Sequence, residues 1–64
     1  MTRMRAERRR RRWTQTDLAY HCRLSAADIS RVETGRLQPS AAYRERIGRA
    51  LGVPAAQLLD EVTE

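Results

Sequence analysis

The feature that most constrains the fold of this chain is a pair of short helical patterns, "TQTDLAYHC" and "SAADISRVET", separated only by "RL". Each pattern begins with a hydroxyl residue that is followed three positions later by aspartate: Thr14 with Asp17, and Ser25 with Asp28. This spacing predicts a capping box, in which the side chain of each of the two residues accepts a hydrogen bond from the backbone N–H of the other at a helix N-terminus. Helices this short are marginal in water, so they must pack on each other and on the rest of the chain.

Three further helices complete the predicted fold, and no segment has the alternating pattern of a strand. The first begins after the cap Thr2 but is so polar that it must dock on another element. Gly52 ends the fourth helix, and Pro54 opens a short fifth one. The sequence thus predicts one all-α, five-helix domain over residues 1–64, with helices at about residues 3–12, 15–22, 26–34, 41–51 and 54–61.

Size and composition narrow the classes of function. A chain of 64 residues buries a small core and leaves little room for a walled catalytic pocket. Its 13 basic residues are all arginine, and they outnumber the 8 acidic residues, so the net charge of +5 favours a polyanionic partner. We expect no enzymatic activity and no cofactor, because the sequence has no Ser/His/Asp arrangement and no glycine-rich phosphate loop. We expect no metal site either, because His21 and Cys22 are adjacent rather than at metal-ligand spacing.

The same sequence bears on location. It contains no run of about 18 apolar residues that could span a membrane, and its start lacks the apolar stretch of a secretory signal. The single cysteine, Cys22, cannot form an internal disulfide and fits a reducing compartment. We therefore expect a cytoplasmic protein that has no membrane partner.

The third predicted helix separates its residues into two faces. One face carries Ile29, Val32 and Glu33 and is expected to dock on the domain. Small side chains and one arginine make up the opposite face, which consists of Ala27, Ser30, Arg31 and Thr34. Small residues allow the backbone to approach another surface closely, and the major groove of B-DNA, about 12 Å wide, admits one helix of this kind.

From Met4 to Leu59 the sequence resembles the phage repressor and Cro proteins, the xenobiotic-response-element family of bacterial helix-turn-helix regulators. The matching positions are spread along the chain: Thr14-Gln15, Leu18-Ala19, Leu24-Ser25, residues 29–33, Gly35, Pro39-Ser40 and residues 50–53. The resemblance implies a lambda-repressor-like fold. It also implies a transcriptional regulator, expected to be a repressor, that binds a pseudo-palindromic operator as a homodimer. Such a protein would be of bacterial or phage origin and associated with the nucleoid.

The resemblance also implies roles for individual residues. Thr14 and Gln15 match positions that contact a phosphate, and Arg36 matches a loop position that contacts the DNA backbone. Arg31 matches a position that faces base edges, where a guanidinium bound to guanine O6 and N7 gives roughly 1–3 kcal/mol of discrimination. A phosphate contact or a solvated charge is the alternative for Arg31. The full predicted DNA-binding set is Thr14, Gln15, Ser25, Ala26, Ala27, Asp28, Ser30, Arg31, Thr34 and Arg36.

Structural roles follow from the same match. Arg8 and Glu33 correspond to an ion pair that ties the first helix to the third. Arg23 stands where glycine is frequent, which costs roughly 1–2 kcal/mol if the residue is left-handed. Gly48, inside the fourth helix, is expected to cost about 1 kcal/mol relative to alanine.

Asp28, besides completing its capping box, has the alternative of accepting a hydrogen bond from a cytosine amine. Core or partly buried positions are predicted for Trp13, Tyr20, Cys22 and Tyr43.

Two other classes of function stay open. The same fold would serve the antitoxin of a toxin–antitoxin pair, which binds both DNA and a toxin protein. Because Ala26 and Ala27 cannot hydrogen-bond to bases, a protein-binding or RNA-binding helical module without operator recognition is also compatible. Near the end of the chain, Leu58, Leu59 and Val62 recur at helical spacing, which fits a dimer contact and a simple closing helix equally.

Overall fold

A computed structural model describes residues 1–63 and contains four α-helices followed by one short turn of 3₁₀ helix. The helices are α1 (Arg3–Arg10), α2 (Gln15–Cys22), α3 (Ala26–Glu33) and α4 (Ala41–Leu51). Each begins after a threonine or serine whose side-chain oxygen accepts a hydrogen bond from a backbone N–H of the first turn. The predicted bounds of α2 and α4 are confirmed, and α3 ends one residue earlier than expected.

The first helix ends two residues before the predicted position. Arg12 adopts a left-handed conformation with φ of 58°, and the Trp13 N–H donates to the carbonyl of Arg8. This reversal turns the chain so that Thr14 can take the extended conformation of an N-cap. The arginines at residues 11 and 12 could continue α1 by helix propensity alone. The chain must reverse at Arg12, however, for α2 to begin at Gln15.

The predicted fifth helix is wrong. Residues Ala55–Gln57 form a three-residue 3₁₀ helix, and the following segment pairs with the beginning of the chain. The Met4 N–H donates to the Leu58 carbonyl at 2.9 Å, and the Val62 N–H donates to the Met1 carbonyl at 2.8 Å. These long-range hydrogen bonds use backbone groups that a continuing helix would pair within itself. The described part of the chain therefore has four α-helices rather than five.

This change also affects the residues considered for a dimer contact. Leu58 is fully buried in the core, while Leu59 packs against it and is partly buried. A helical face that presents Leu58, Leu59 and Val62 together does not form. Among the described residues, Tyr20 is the only large hydrophobic residue that is exposed, at 81%, so its predicted partial burial is wrong.

One core lies at the centre of these elements. Its largest fully buried side chains are Met4, Leu18, Ile29, Ile47, Leu51 and Leu58. Each such side chain contributes about 1.5–3 kcal/mol by leaving water, so the polar α1 is held by Met4 and by its contacts to other elements. Within residues 1–63, no helix is long and apolar enough to cross a membrane.

Gly48 has a packing role that its sequence position did not reveal. A Cβ at this buried position would lie 2.6 Å from the carbonyl oxygen of Val53 and 3.5 Å from the backbone nitrogen of Ala55. The Val53 N–H also donates to the Gly48 carbonyl at 3.0 Å. The chain after α4 therefore folds back directly on the helix, and alanine here would be the less favourable residue.

Candidate nucleic-acid interface

Helices α2 and α3 pack against each other and are joined by a sharp turn. Arg23 ends α2 in the left-handed conformation, with φ of 59° and ψ of 43°. The next residue, Leu24, donates its N–H to the Ala19 carbonyl at 3.0 Å and is partly buried against the core. The expectation that Arg23 occupies a position suited to glycine is confirmed, and its side chain is exposed at the surface.

The two predicted capping boxes differ in the structure. At the start of α2 the box is complete, since the Asp17 N–H donates to Thr14 Oγ1 at 3.0 Å and the Thr14 N–H donates to Asp17 Oδ2 at 2.8 Å. At the start of α3 only one of the two bonds forms, in which the Asp28 N–H donates to Ser25 Oγ at 3.1 Å. The prediction of a capping box at the start of α3 is therefore only half correct.

The carboxylate of Asp28 has other partners instead. Tyr43 on α4 donates its hydroxyl to Asp28 Oδ2 at 3.2 Å, and Arg31 donates from Nη1 to Asp28 Oδ1 at 3.1 Å. These contacts connect α4 to the exposed side of α3. No sequence signal indicated the first contact, because Tyr43 is 15 residues away in a different helix.

An almost fully buried ion pair fixes the other end of α3. Arg8 donates from Nε to Glu33 Oε2 at 2.7 Å and from Nη2 to Glu33 Oε1 at 3.0 Å. The side chains of Arg8 and Glu33 are only 10% and 2% exposed. Arg8 also donates to the Trp13 carbonyl at 2.8 Å, and Gln15 donates to Glu33 Oε1 at 3.2 Å. This network satisfies both charged groups and ties α3 to α1 and to the start of α2.

The outward face of α3 is as the periodicity predicts. Ala27, Arg31 and Thr34 are exposed, whereas Ile29 and Val32 are buried. The remaining members of the predicted DNA-binding set are exposed or partly buried, namely Thr14, Gln15, Ser25, Ala26, Asp28, Ser30 and Arg36. The structure thus brings a surface of small side chains together around one arginine.

The hydroxyl of Thr34 is already used within α3. It donates to the carbonyl of Ser30 at 3.0 Å and lies 3.3 Å from that of Arg31. This arrangement leaves the methyl group and the oxygen lone pairs of Thr34 for any further contact. Arg31, whose side chain is 59% exposed, remains the strongest donor on this face because a guanidinium carries five N–H donors.

Five consecutive arginines, residues 8–12, precede α2, and most of them have partners inside the domain. Glu7 lies 2.9 Å from Arg11 and 3.0 Å from Arg10. The hydrogen bond from Arg11, followed by the nearby positive charges, lowers the pKa of the Glu7 carboxyl despite its partial burial. Arg11 also donates to the Leu51 carbonyl at 2.6 Å. Arg11 therefore links the end of α1 to the end of α4, in addition to any contact with a polyanion.

Trp13 lies at the edge of the core, as predicted, and takes part in a surface stack. Its ring is partly buried against the core and lies 4.2 Å from the ring of His21, at an interplanar angle of 15°. The guanidinium of Arg11 lies 5.7 Å from the Trp13 ring, within the range of a cation–π contact. The stack covers one side of α2 and was not predicted from the sequence.

A second basic surface lies between the end of α2 and α4. An open hollow of about 400 Å³ is lined by His21, Cys22, Arg23, Arg46, Arg49 and Ala50. Among residues 1–63 no acidic side chain lines it, and its three arginines are exposed. Positive charge alone therefore does not distinguish the face of α3 from this hollow, so the chemistry of the exposed residues must be considered as well.

Comparisons with known proteins agree with this architecture. Residues 2–61 match the family model described as a helix-turn-helix domain, and the chain belongs to that family. A search of curated proteins found no match. The crystal structure of the hypothetical transcription factor NHTF from Neisseria is similar, with a TM-score of 0.80 and 38% sequence identity. The similarity covers 86% of this chain and 62% of that chain, so this chain spans less than two thirds of the neighbour's length.

Proposed function

We propose that this domain is a DNA-binding transcriptional regulator that inserts α3 into the major groove. The observation that carries the proposal is the exposed face of α3, in which small side chains surround Arg31. A helix with such a face can approach base edges closely, and an arginine there can donate to two acceptors of one guanine. The nearly buried pair of Arg8 and Glu33 supports this arrangement by holding α3 in place.

Contacts to phosphates would position the helix on the duplex. The N-terminus of α2 presents backbone N–H groups and the positive end of a helix dipole, which favour an anion. Gln15 donates one amide N–H to Glu33, and its second N–H is a candidate donor to a phosphate. Arg36, exposed in the loop after α3, is a candidate for a second phosphate contact. None of these contacts distinguishes one sequence from another, which leaves that task to α3.

The finer assignment is a repressor of the phage repressor and Cro type. As a homodimer, it would place two copies of α3 in successive major grooves about 34 Å apart on a pseudo-palindromic site. The support for the dimer comes from the resemblance of the sequence. Leu58 is buried in the core and does not offer a contact face. Repression would follow where such a site overlaps a promoter.

Selection of bound sequences from a pool of random duplexes tests the proposal. The selection is done at about 0.15 M salt, where charges more than about 8 Å apart are screened, with the wild-type protein, Arg31→Ala and Arg49→Ala. Arg49→Ala is the matched control, since it removes the same charge from an exposed position on α4. We expect a two-fold-related motif that loses definition at one base pair per half-site only in Arg31→Ala.

Two other results would change the proposal. A motif that is not two-fold-related would retain sequence recognition and refute the dimer. If no motif is enriched and all duplexes are released equally as salt rises, the protein is a charge-driven binder. Recognition of an operator would then be rejected in favour of the protein-binding or RNA-binding alternative.

A further inference from the structure

We propose that Tyr43 and Asp28 position the guanidinium of Arg31, so that Tyr43 on α4 helps to determine DNA sequence preference. The inference rests on the proposed function, because Arg31 is the residue expected to contact bases. Tyr43 belongs to neither helix of the helix-turn-helix pair. Its effect on recognition would pass through Asp28.

The geometry consists of two hydrogen bonds that share one carboxylate. Tyr43 Oη lies 3.2 Å from Asp28 Oδ2, and Arg31 Nη1 lies 3.1 Å from Asp28 Oδ1. The Asp28 side chain is 25% exposed, whereas the Arg31 side chain is 59% exposed. A mostly covered carboxylate thus anchors a mostly exposed cation. The partly buried Tyr43 fixes the second oxygen of that carboxylate and thereby its orientation.

A comparison with the start of α2 indicates that capping does not explain this arrangement. Asp17 and Asp28 have the same spacing from their N-cap residues, and both donate their backbone N–H to the side-chain oxygen of that residue. The carboxylate of Asp17 accepts a hydrogen bond from the backbone N–H of its cap residue, Thr14. Asp28 instead directs its carboxylate to Tyr43 and Arg31. The carboxylate of Asp28 is therefore available for a role that Asp17 does not have.

The physical consequence concerns the two alternatives for Arg31. A freely moving arginine at the edge of a groove can contact a phosphate as readily as a base, and phosphate contacts carry no sequence information. An arginine held by Asp28 loses less conformational freedom when it binds a guanine, since part of its ordering has already occurred. The remaining N–H donors of the guanidinium stay available for the base. Holding the side chain therefore favours base recognition over phosphate contact.

The first test uses the free protein and does not depend on an operator. NMR of the arginine side chains reports rotation of each guanidinium, and Arg31→Lys identifies the signal of Arg31. We expect the guanidinium of Arg31 to rotate more slowly than that of the exposed Arg36 in the wild-type protein, and expect this difference to disappear in Tyr43→Phe. If Tyr43→Phe leaves the Arg31 signal unchanged, the inference is overturned, whatever the protein binds.

The second test measures sequence preference. Affinity is compared between a selected duplex and the same duplex with the Arg31-dependent base pair exchanged. Tyr43→Phe removes only a hydroxyl group and is expected to reduce this affinity ratio roughly two- to tenfold, the effect of ordering one long side chain on binding. Tyr20→Phe is the matched control, because Tyr20 is 81% exposed on the outer side of α2, and it should leave the ratio unchanged.

The outcomes separate the two levels of the proposal. An unchanged ratio in Tyr43→Phe overturns the positioning role even where the wild-type protein recognises a sequence. If the wild-type protein shows no sequence preference, the proposed function fails, and the NMR comparison still decides whether Tyr43 orders Arg31. A uniform loss of affinity for both duplexes in Tyr43→Phe would indicate a purely structural role and contradict the inference.

Discussion

Replacing Glu33 by alanine tests how strongly the domain depends on the pair that anchors α3. The substitution removes a carboxylate that accepts hydrogen bonds from Arg8 at 2.7 and 3.0 Å and from Gln15 at 3.2 Å. The guanidinium of Arg8, whose side chain is 10% exposed, would then lie in the protein without a counter-charge. Its remaining partner would be the carbonyl of Trp13.

The expected loss of stability is large for a domain of this size. Removing one member of a buried ion pair costs about 3–5 kcal/mol, whereas an exposed pair contributes less than about 1 kcal/mol. A chain of 64 residues has a total free energy of unfolding of roughly 3–10 kcal/mol. Because 1 kcal/mol corresponds to a shift of about 4–8 °C in such a small domain, we expect Glu33→Ala to lower the Tm by at least about 12 °C.

Urea and thermal unfolding followed by circular dichroism provide the assay. Glu45→Ala is the matched control, because Glu45 is an exposed glutamate on α4, and it should change stability by less than about 0.5 kcal/mol. The double variant Arg8→Met/Glu33→Leu should be more stable than Glu33→Ala, since no charge is left buried. A loss below about 1 kcal/mol in Glu33→Ala, together with a wild-type stability that falls as salt screens the pair, would show that the pair behaves as an exposed one.

Three further predictions concern other parts of the fold. Gly48→Ala should lower the free energy of unfolding by about 1–3 kcal/mol in urea, because the added Cβ meets the Val53 carbonyl; a gain of about 1 kcal/mol, as at an ordinary helix site, would contradict the close approach. The pKa of Glu7 is lowered in the folded state from its ordinary value of 4.5, so its charge stabilises the fold above that pH and the stabilisation is lost as the pH falls through the folded pKa. Thermal unfolding should therefore show Glu7→Gln to be less stable than wild type at neutral pH, with the difference closing in acid, and a gap that is constant with pH would exclude this explanation. Burial raises the pKa of the Cys22 thiol to about 11, so a thiol reagent at about pH 8 should react slowly with the native protein and much faster in urea; equal rates would show that Cys22 is accessible.

The elements predicted best are those specified by local signals. A hydroxyl cap precedes α2 and α4 at the predicted positions, and Gly52 ends α4 in the left-handed conformation with φ of 68°. These signals act within a few residues, so the sequence alone reveals them. Local signals could not exclude the predicted fifth helix. The backbone groups of Leu58 and Val62 pair instead with Met4 and Met1, at the other end of the chain.

In the candidate site, too, the features set by local signals were predicted and those set by long-range contacts were not. The two faces of α3 follow from helical periodicity, which placed Ile29 and Val32 in the core and Arg31 outside. The partner of the Asp28 carboxylate did not follow, because the cap spacing predicts a bond to the backbone while the contact with Tyr43 depends on where the fold places α4. Long-range packing therefore decides whether the Asp28 carboxylate bonds to the backbone of its cap residue or to Tyr43.

Amide NMR of the labelled protein with increasing amounts of duplex DNA identifies directly the surface that binds DNA. We expect the largest chemical-shift changes in residues 26–31 of α3 and in the first turn of α2, and we expect Arg31→Ala to reduce them. Changes centred on Arg46 and Arg49, which line the second basic surface, with α3 unaffected, would contradict the assignment of α3 as the DNA-recognition helix.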